Sequence, residues 1–231
     1  MRRILAGLLM LSILALPVRA AEEKKYVALT FDDGPSGKYT ETLLEGLRLR
    51  GARATFFLCG YRMEQYPAIA QQIFDEGHEI GYHGFSHKSM KPMSRRTIAG
   101  ELMDSQALLP EDCDPVFFRP PGGIVTDGVR QVAEARQLAL LSWSVDPRDW
   151  ATKNAAEVEQ AVLKHVADGD IVLLHDMTYS SVKAALNVVD ALQNQGYRFV
   201  TVSELAKLRS ARIRPGQVFK KFPREPEKPM K

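Results

Sequence analysis

The sequence is poor in cysteine, in long hydrophobic runs and in surplus positive charge, and each shortage excludes something. Only Cys59 and Cys113 occur among 231 residues. Their spacing fits neither a redox pair nor a zinc-ligand pair, and sequence alone leaves open whether they bridge. Beyond the first twenty residues no stretch approaches the ~20 apolar residues that a membrane span needs. The formal net charge of +3 comes from Arg2, Arg3 and Arg19. Residues 21–211 hold 21 basic and 26 acidic residues. Nucleic-acid binding calls for a basic face, so no nucleic-acid partner is expected.

What is present begins with MRRILAGLLMLSILALPVRA. Two arginines precede an apolar core from Ile4 to Pro17, and small residues around Val18 and Ala20 offer a cleavage site. Residues 1–20 therefore read as a signal peptide, with a retained N-terminal anchor as the alternative. A periplasmic or secreted protein is expected, in contact with a membrane only through export or that retained segment. Residues 21–211 are enough for one domain with a substantial core. Residues 212–231 are basic, proline-rich and without periodicity, and are expected to form a disordered tail. No oligomeric state can be read.

Within 21–211, apolar runs of strand length alternate with amphipathic stretches of helix length. YVALTF from Tyr26, ATFFLC from Ala54, HEIGYH from His78, VFFR from Val116, LALLSWSV from Leu138, DIVLLHD from Asp170 and YRFVTV from Tyr197 read as strands. The segments between them read as helices. Gly51 and Gly77 stop two of these helices, Pro67 starts one and Ser94 sits where an N-cap belongs. Alternation of this kind predicts parallel βα units. Seven such units in a chain shorter than a full eightfold barrel predict an α/β fold, a distorted, incomplete (β/α) barrel of about seven parallel strands. An open doubly wound sheet is the competing arrangement.

Parallel βα folds gather chemistry at the C-terminal ends of strands. Asp32 and Asp33 follow the first run, His83 and His87 the third. Arg119 ends the fourth, Asp146, Asp149 and Trp150 follow the fifth, and His175 and Asp176 end the sixth. Two histidines four apart with a carboxylate opposite make a common divalent-metal set, zinc first, that leaves a coordination position open. A metal also accounts for the adjacent carboxylates. One would ligate the cation while the other takes a proton from water whose pKa the cation lowers. Which aspartate does which is left open by spacing.

The segments TFDDGP, HGFSH, RPPGG, VDPRDW and VLLHD, in that order from Thr30 to Asp176, resemble the five motifs of the polysaccharide deacetylases, the NodB-like carbohydrate esterases. The resemblance extends from about Tyr26 to Leu208. It implies the distorted barrel and metal-dependent hydrolysis of N-acetyl groups on N-acetylglucosamine-type glycans, peptidoglycan-like or chitin-like. O-acetyl ester hydrolysis on xylan or exopolysaccharide, or glycan binding without catalysis, are the alternatives. It also implies residue roles. Asp32 would be the base and Arg119 its partner, with Asp33, His83 and His87 as metal ligands. Gly122 would offer a backbone N–H to the oxyanion, and Trp150 and Leu173 would line the pocket. His175 would be the acid, oriented by Asp149.

Three positions depart from the family pattern. Gly84 follows the first histidine where the family usually has Thr or Ser, leaving Ser86 to steady the loop; Tyr82 precedes it where Asn is common; and Gly122 replaces a frequent Tyr. His78 and His165 are expected to be structural or surface residues. Asp146 is expected to support Arg119 or to cap a turn, and Asp176 to stand behind the site or in a loop.

Overall fold

In the computed structural model the described residues are 24–224. The expected signal peptide and residues 225–231 lie outside them. The apolar run after Lys24 forms β1 (Lys25–Asp32), whose last six residues are buried. Both faces of this strand are covered, so its sequence is continuously apolar rather than alternating. On one edge β1 pairs with β2 (Thr55–Leu58) and on the other with β6 (Ile171–His175). Its first residues pair with β7 (Tyr197–Phe199). From β2 the sheet continues through β3 (Glu79–Tyr82), β4 (Phe117–Phe118), β5 (Ala139–Leu141) and β8 (Val218–Phe219). Every pairing of these strands is parallel.

The sheet curls back on itself. Beyond β5, Val145 forms a parallel bridge with Val172 of β6, and the Leu173 N–H donates to the Val145 carbonyl at 2.9 Å. Closure rests on this short contact rather than on a full ladder, which makes the expected distorted, incomplete barrel.

Helices α1 (Lys38–Leu49), α2 (Gly60–Gln65), α3 (Pro67–Asp75), α4 (Arg95–Gln106), α5 (Asp127–Ala135), α6 (Ala155–His165), α7 (Tyr179–Gln193) and α8 (Val202–Leu208) accompany the strands. Five of them begin where a side chain caps the first turn: Ser94, Thr126, Asn154, Thr178 and Thr201 each accept a backbone N–H there. These caps satisfy donors that the helix itself cannot. The short α2 has no counterpart in the sequence reading. One apolar cluster includes Leu43, Leu47, Val158 and Val188, from α1, α6 and α7, with Phe31 of β1. A second includes Phe57, Val202 and Phe222, and a third Ile98, Val129 and Leu140. Cys59 and Cys113 are both free thiols.

The expected disordered tail does not start at 212. Ile213 packs on the second cluster, Val218–Phe219 pairs with β5, and Phe222 is 3% exposed. The Phe222 N–H donates to the Gly169 carbonyl at 2.8 Å, and Arg224 pairs with Asp168 at 2.9 Å. Pro215 and Pro223 hide any period, yet apolar residues fall where the open edge of β5 needs cover. Phe222→Ala should lower unfolding stability by about 3–5 kcal/mol through the cavity it leaves, read from urea denaturation. An unmoved midpoint would show that the segment is dispensable.

Candidate active site

The strand ends bring the expected residues together. Asp32 closes β1 and is buried, and Arg119, just beyond β4, has no exposed surface. The Arg119 Nη1 lies 2.6 Å from Asp32 Oδ1 and also donates to Thr30 Oγ1 at 2.8 Å. Its Nε and Nη2 donate to the carbonyls of Leu141 and Ser142, at 3.2 and 2.9 Å. The guanidinium lies 4.2 Å from the centroid of the Phe57 ring. Burial pushes Arg119 below its ordinary value while Asp32 pushes back, and a guanidinium stays charged regardless.

Asp33 turns away from its neighbour because its backbone is left-handed, at φ 73°, a conformation that Asp tolerates better than most residues. Its Oδ1 lies 3.1 Å from His83 Nε2 and 2.9 Å from His87 Nε2. Burial works against the Asp33 charge, but hydrogen bonds to the two imidazoles outweigh it and hold the carboxyl far below the usual range. The same bond to Asp33 raises His87.

The donor chemistry fits a divalent ion. Asp33, His83 and His87 each aim one ligand atom into a space where these atoms lie within 4.8 Å of one another. His83 Nδ1 is 2.7 Å from the Arg119 carbonyl. A carbonyl only accepts, so Nδ1 carries a proton, and Nε2, which faces Asp33, is the nitrogen that would give up its own proton to bind a metal ion.

Across the site, His175 Nε2 lies 4.0 Å from Asp33 Oδ2. Its Nδ1 is 2.8 Å from Asp149 Oδ1, and its backbone N–H donates to Asp149 Oδ2 at 2.9 Å. Burial disfavours the imidazolium, but the hydrogen bond and charge of Asp149 prevail and raise His175 to about 9. A cavity of about 440 Å³ opens over these groups. Gly122, Leu173 and Trp150 line it, as does Trp143, which sequence reasoning missed. Gly122 is left-handed at φ 67°, and Trp150 is 60% exposed at the rim.

Other expectations sort themselves. Asp146 also lines the cavity and accepts the Arg148 N–H at 2.8 Å, so it caps a turn rather than supporting Arg119. His78 is buried and accepts the Ala54 N–H, with burial lowering it to about 4; His165 is exposed. Asp176 is fully buried, accepts the Thr40 hydroxyl, and is raised to about 6 by burial. A Cβ on Gly34 would come within 2.6 Å of both Asp176 carboxylate oxygens. The glycine after the paired aspartates lets that turn rest on Asp176.

Comparison with known proteins points one way. The family profile described as polysaccharide deacetylase matches residues 19–141. A peptidoglycan-N-acetylglucosamine deacetylase of Bacillus cereus is 40% identical over 190 residues, covering 80% of this chain and 89% of that protein. A peptidoglycan-N-acetylglucosamine deacetylase of Listeria monocytogenes is 36% identical over 190 residues, 81% of this chain; the chain spans 40% of that protein's length. The structure of a family 4 acetyl xylan esterase from Clostridium thermocellum, in complex with a cobalt ion, superposes with a TM-score of 0.79 at 32% identity. That match covers 86% of this chain and all of the other.

The His175–Asp149 contact has a pH signature. His175 rises from 6.5 in the unfolded chain to about 9 in the fold, so its stabilisation is complete below pH 6.5 and disappears as pH climbs through 9. NMR titration of the metal-free protein should find His175 near 9, and Asp149→Asn should return it toward 6.5. The stability gap between wild type and variant should narrow over that window in urea titrations. A wild-type His175 titrating near 6.5 would sink this assignment.

Proposed function

The chain belongs to the polysaccharide deacetylase family, and we infer that it hydrolyses N-acetyl groups of N-acetylglucosamine-type sugars in a peptidoglycan-like or chitin-like glycan. The observation that carries this reading is the placement of a paired Asp32–Arg119, a three-donor metal set and a raised His175 around one cavity. Its support also includes the B. cereus relative, named for deacetylation of peptidoglycan N-acetylglucosamine.

A divalent ion held by Asp33, His83 and His87, zinc first among the candidates, would polarise the acetyl carbonyl and ease deprotonation of the attacking water. Asp32 takes the proton from that water. Arg119 pairs with Asp32 and fixes its direction, because the same guanidinium is anchored on Thr30, Leu141 and Ser142. The backbone N–H of Gly122 donates to the oxyanion, and Leu173 with Trp150 walls the acetyl group and sugar. As the C–N bond breaks, His175 gives its proton to the amine nitrogen, which is a poor leaving group unprotonated. Asp149 keeps His175 charged for that transfer. Amide and water are thus converted to amine and acetate.

The similarity to an acetyl xylan esterase favours one second reading, hydrolysis of O-acetyl esters at the same site. An alcohol leaves more readily than an amine, so the ester reaction leans less on His175. We place the enzyme in the periplasm or outside the cell, on the character of residues 1–20.

Acetate release should be measured from N-acetylglucosamine oligomers, peptidoglycan and acetylated xylan. N-acetyl substrates should lead, a chelator should abolish turnover and zinc should restore it. Asp32→Asn and His175→Ala should each lower kcat by about 10²–10⁴. Turnover indifferent to chelator and to both substitutions would discard the mechanism, and xylan as the sole substrate would select the esterase.

A further inference from the structure

We propose that Glu101, on α4, is the positioning residue that holds the His83–His87 turn in the geometry of a metal site. This rests on the reading of Asp33, His83 and His87 as metal ligands. Glu101 Oε2 accepts the backbone N–H groups of Phe85 and Ser86, at 2.8 and 2.7 Å. Its Oε1 accepts the Ser86 hydroxyl at 2.7 Å. One carboxylate thus gathers three of the four donors of the residues between the two histidines. Hydrogen bonds to an ionised acceptor are roughly twice as strong as neutral ones.

The other side of the turn is held as firmly. The Gly60 and Tyr61 N–H groups at the start of α2 donate to the carbonyls of Gly84 and Phe85, at 2.9 and 3.1 Å. The turn is therefore clamped between α2, through its carbonyls, and α4, through its amides. Gly84 is left-handed at φ 82°, and a Cβ there would meet the Met90 Cε at 2.8 Å and Glu101 Oε2 at 3.4 Å. The family's usual Thr or Ser would be strained in this backbone, and Ser86 with Glu101 does the steadying instead.

The two histidines depend on the clamp unequally. His83 has its own anchor, the Arg119 carbonyl on Nδ1. His87 has none: it is left-handed at φ 56°, exposed, and among the described residues Asp33 is the one polar partner of its ring. A non-glycine residue in that conformation is strained and persists only where its surroundings impose it. The turn fixed by Glu101 supplies that constraint, one residue before His87.

The test measures zinc affinity of the full chain by competition with a chromophoric chelator, alongside kcat at rising zinc and circular dichroism of the metal-free protein. Glu101→Ala should weaken zinc binding about 10- to 100-fold, the range for groups that orient metal ligands. Glu101→Gln, which keeps one acceptor oxygen, should weaken it less. In both, kcat should return to near the wild-type value once zinc saturates, with metal-free spectra unchanged. A merely structural role would not be rescued by zinc. Unchanged affinity in Glu101→Ala overturns the proposal. Should that variant fail to fold, Glu101→Gln carries the comparison, and wild-type affinity there overturns it equally. A wild type that binds no divalent ion overturns the metal reading itself, whereas wild-type binding with indifferent variants overturns only the role of Glu101.

Discussion

A guanidinium with no exposed surface organises the catalytic end of this barrel. Arg119 projects from the end of β4, which is not a sheet neighbour of β1, and yet it reaches Thr30 and Asp32 on β1 and the carbonyls of Leu141 and Ser142 at the end of β5. It therefore crosses the inside of the barrel mouth. Burying two charges costs several kcal/mol per ion, and their attraction offsets this only when geometry is good and the remaining donors are satisfied. Here Nε, Nη1 and Nη2 each donate to a backbone carbonyl or to Thr30. What such a pair contributes is less net stability than a fixed position for the carboxylate. The Arg119 carbonyl extends the same control to His83 Nδ1, so one residue orients both the proposed base and a proposed metal ligand.

The adjacent aspartates are separated by environment rather than by distance along the chain. Asp32 stays in the extended strand and faces a permanent cation. Asp33 flips to φ 73° and faces two imidazoles, whose lone pairs a metal would claim. A fixed cation cannot be displaced by a metal, and a neutral imidazole can share one. The carboxylate beside Arg119 is thus the one left free to take a proton, and the carboxylate among the histidines is the natural ligand. This geometry supports the proposed division of roles, which the order of residues alone leaves open.

Much of this was legible because burial writes itself into sequence. Strands covered on both faces are continuous apolar runs, and a polar residue that ends such a run must sit at the rim; Asp32 and His175 were found that way. Arg119 was legible as a strand-end residue, though not as a bridge across the mouth. What escaped detection lacks such a signal. Glu101 lies on the exposed-looking face of an ordinary helix, and nothing local marks its reach to Phe85 and Ser86. Trp143 sits in an apolar stretch where a tryptophan reads as core. Residues 212–224 lack periodicity because they pair as a two-residue strand and one buried ring, too little pattern to separate from disorder. α2, six residues long, is below the length at which helical period can be read.

The backbone shows what the site requires. Asp33 and His87 both occupy the left-handed region, each at an energetic cost that an unconstrained chain would relieve. The contacts that hold the ligands come from elsewhere: Asp176 packed beneath the Asp33 turn at Gly34, Arg119 behind His83, and Glu101 behind Phe85 and Ser86. Each is a carboxylate or carbonyl held by a regular element or buried at its end. These contacts order the three proposed ligands within the fold. Asp32 and His175 end the neighbouring strands β1 and β6 as register partners, so the proposed proton acceptor and proton donor line the same cavity side by side.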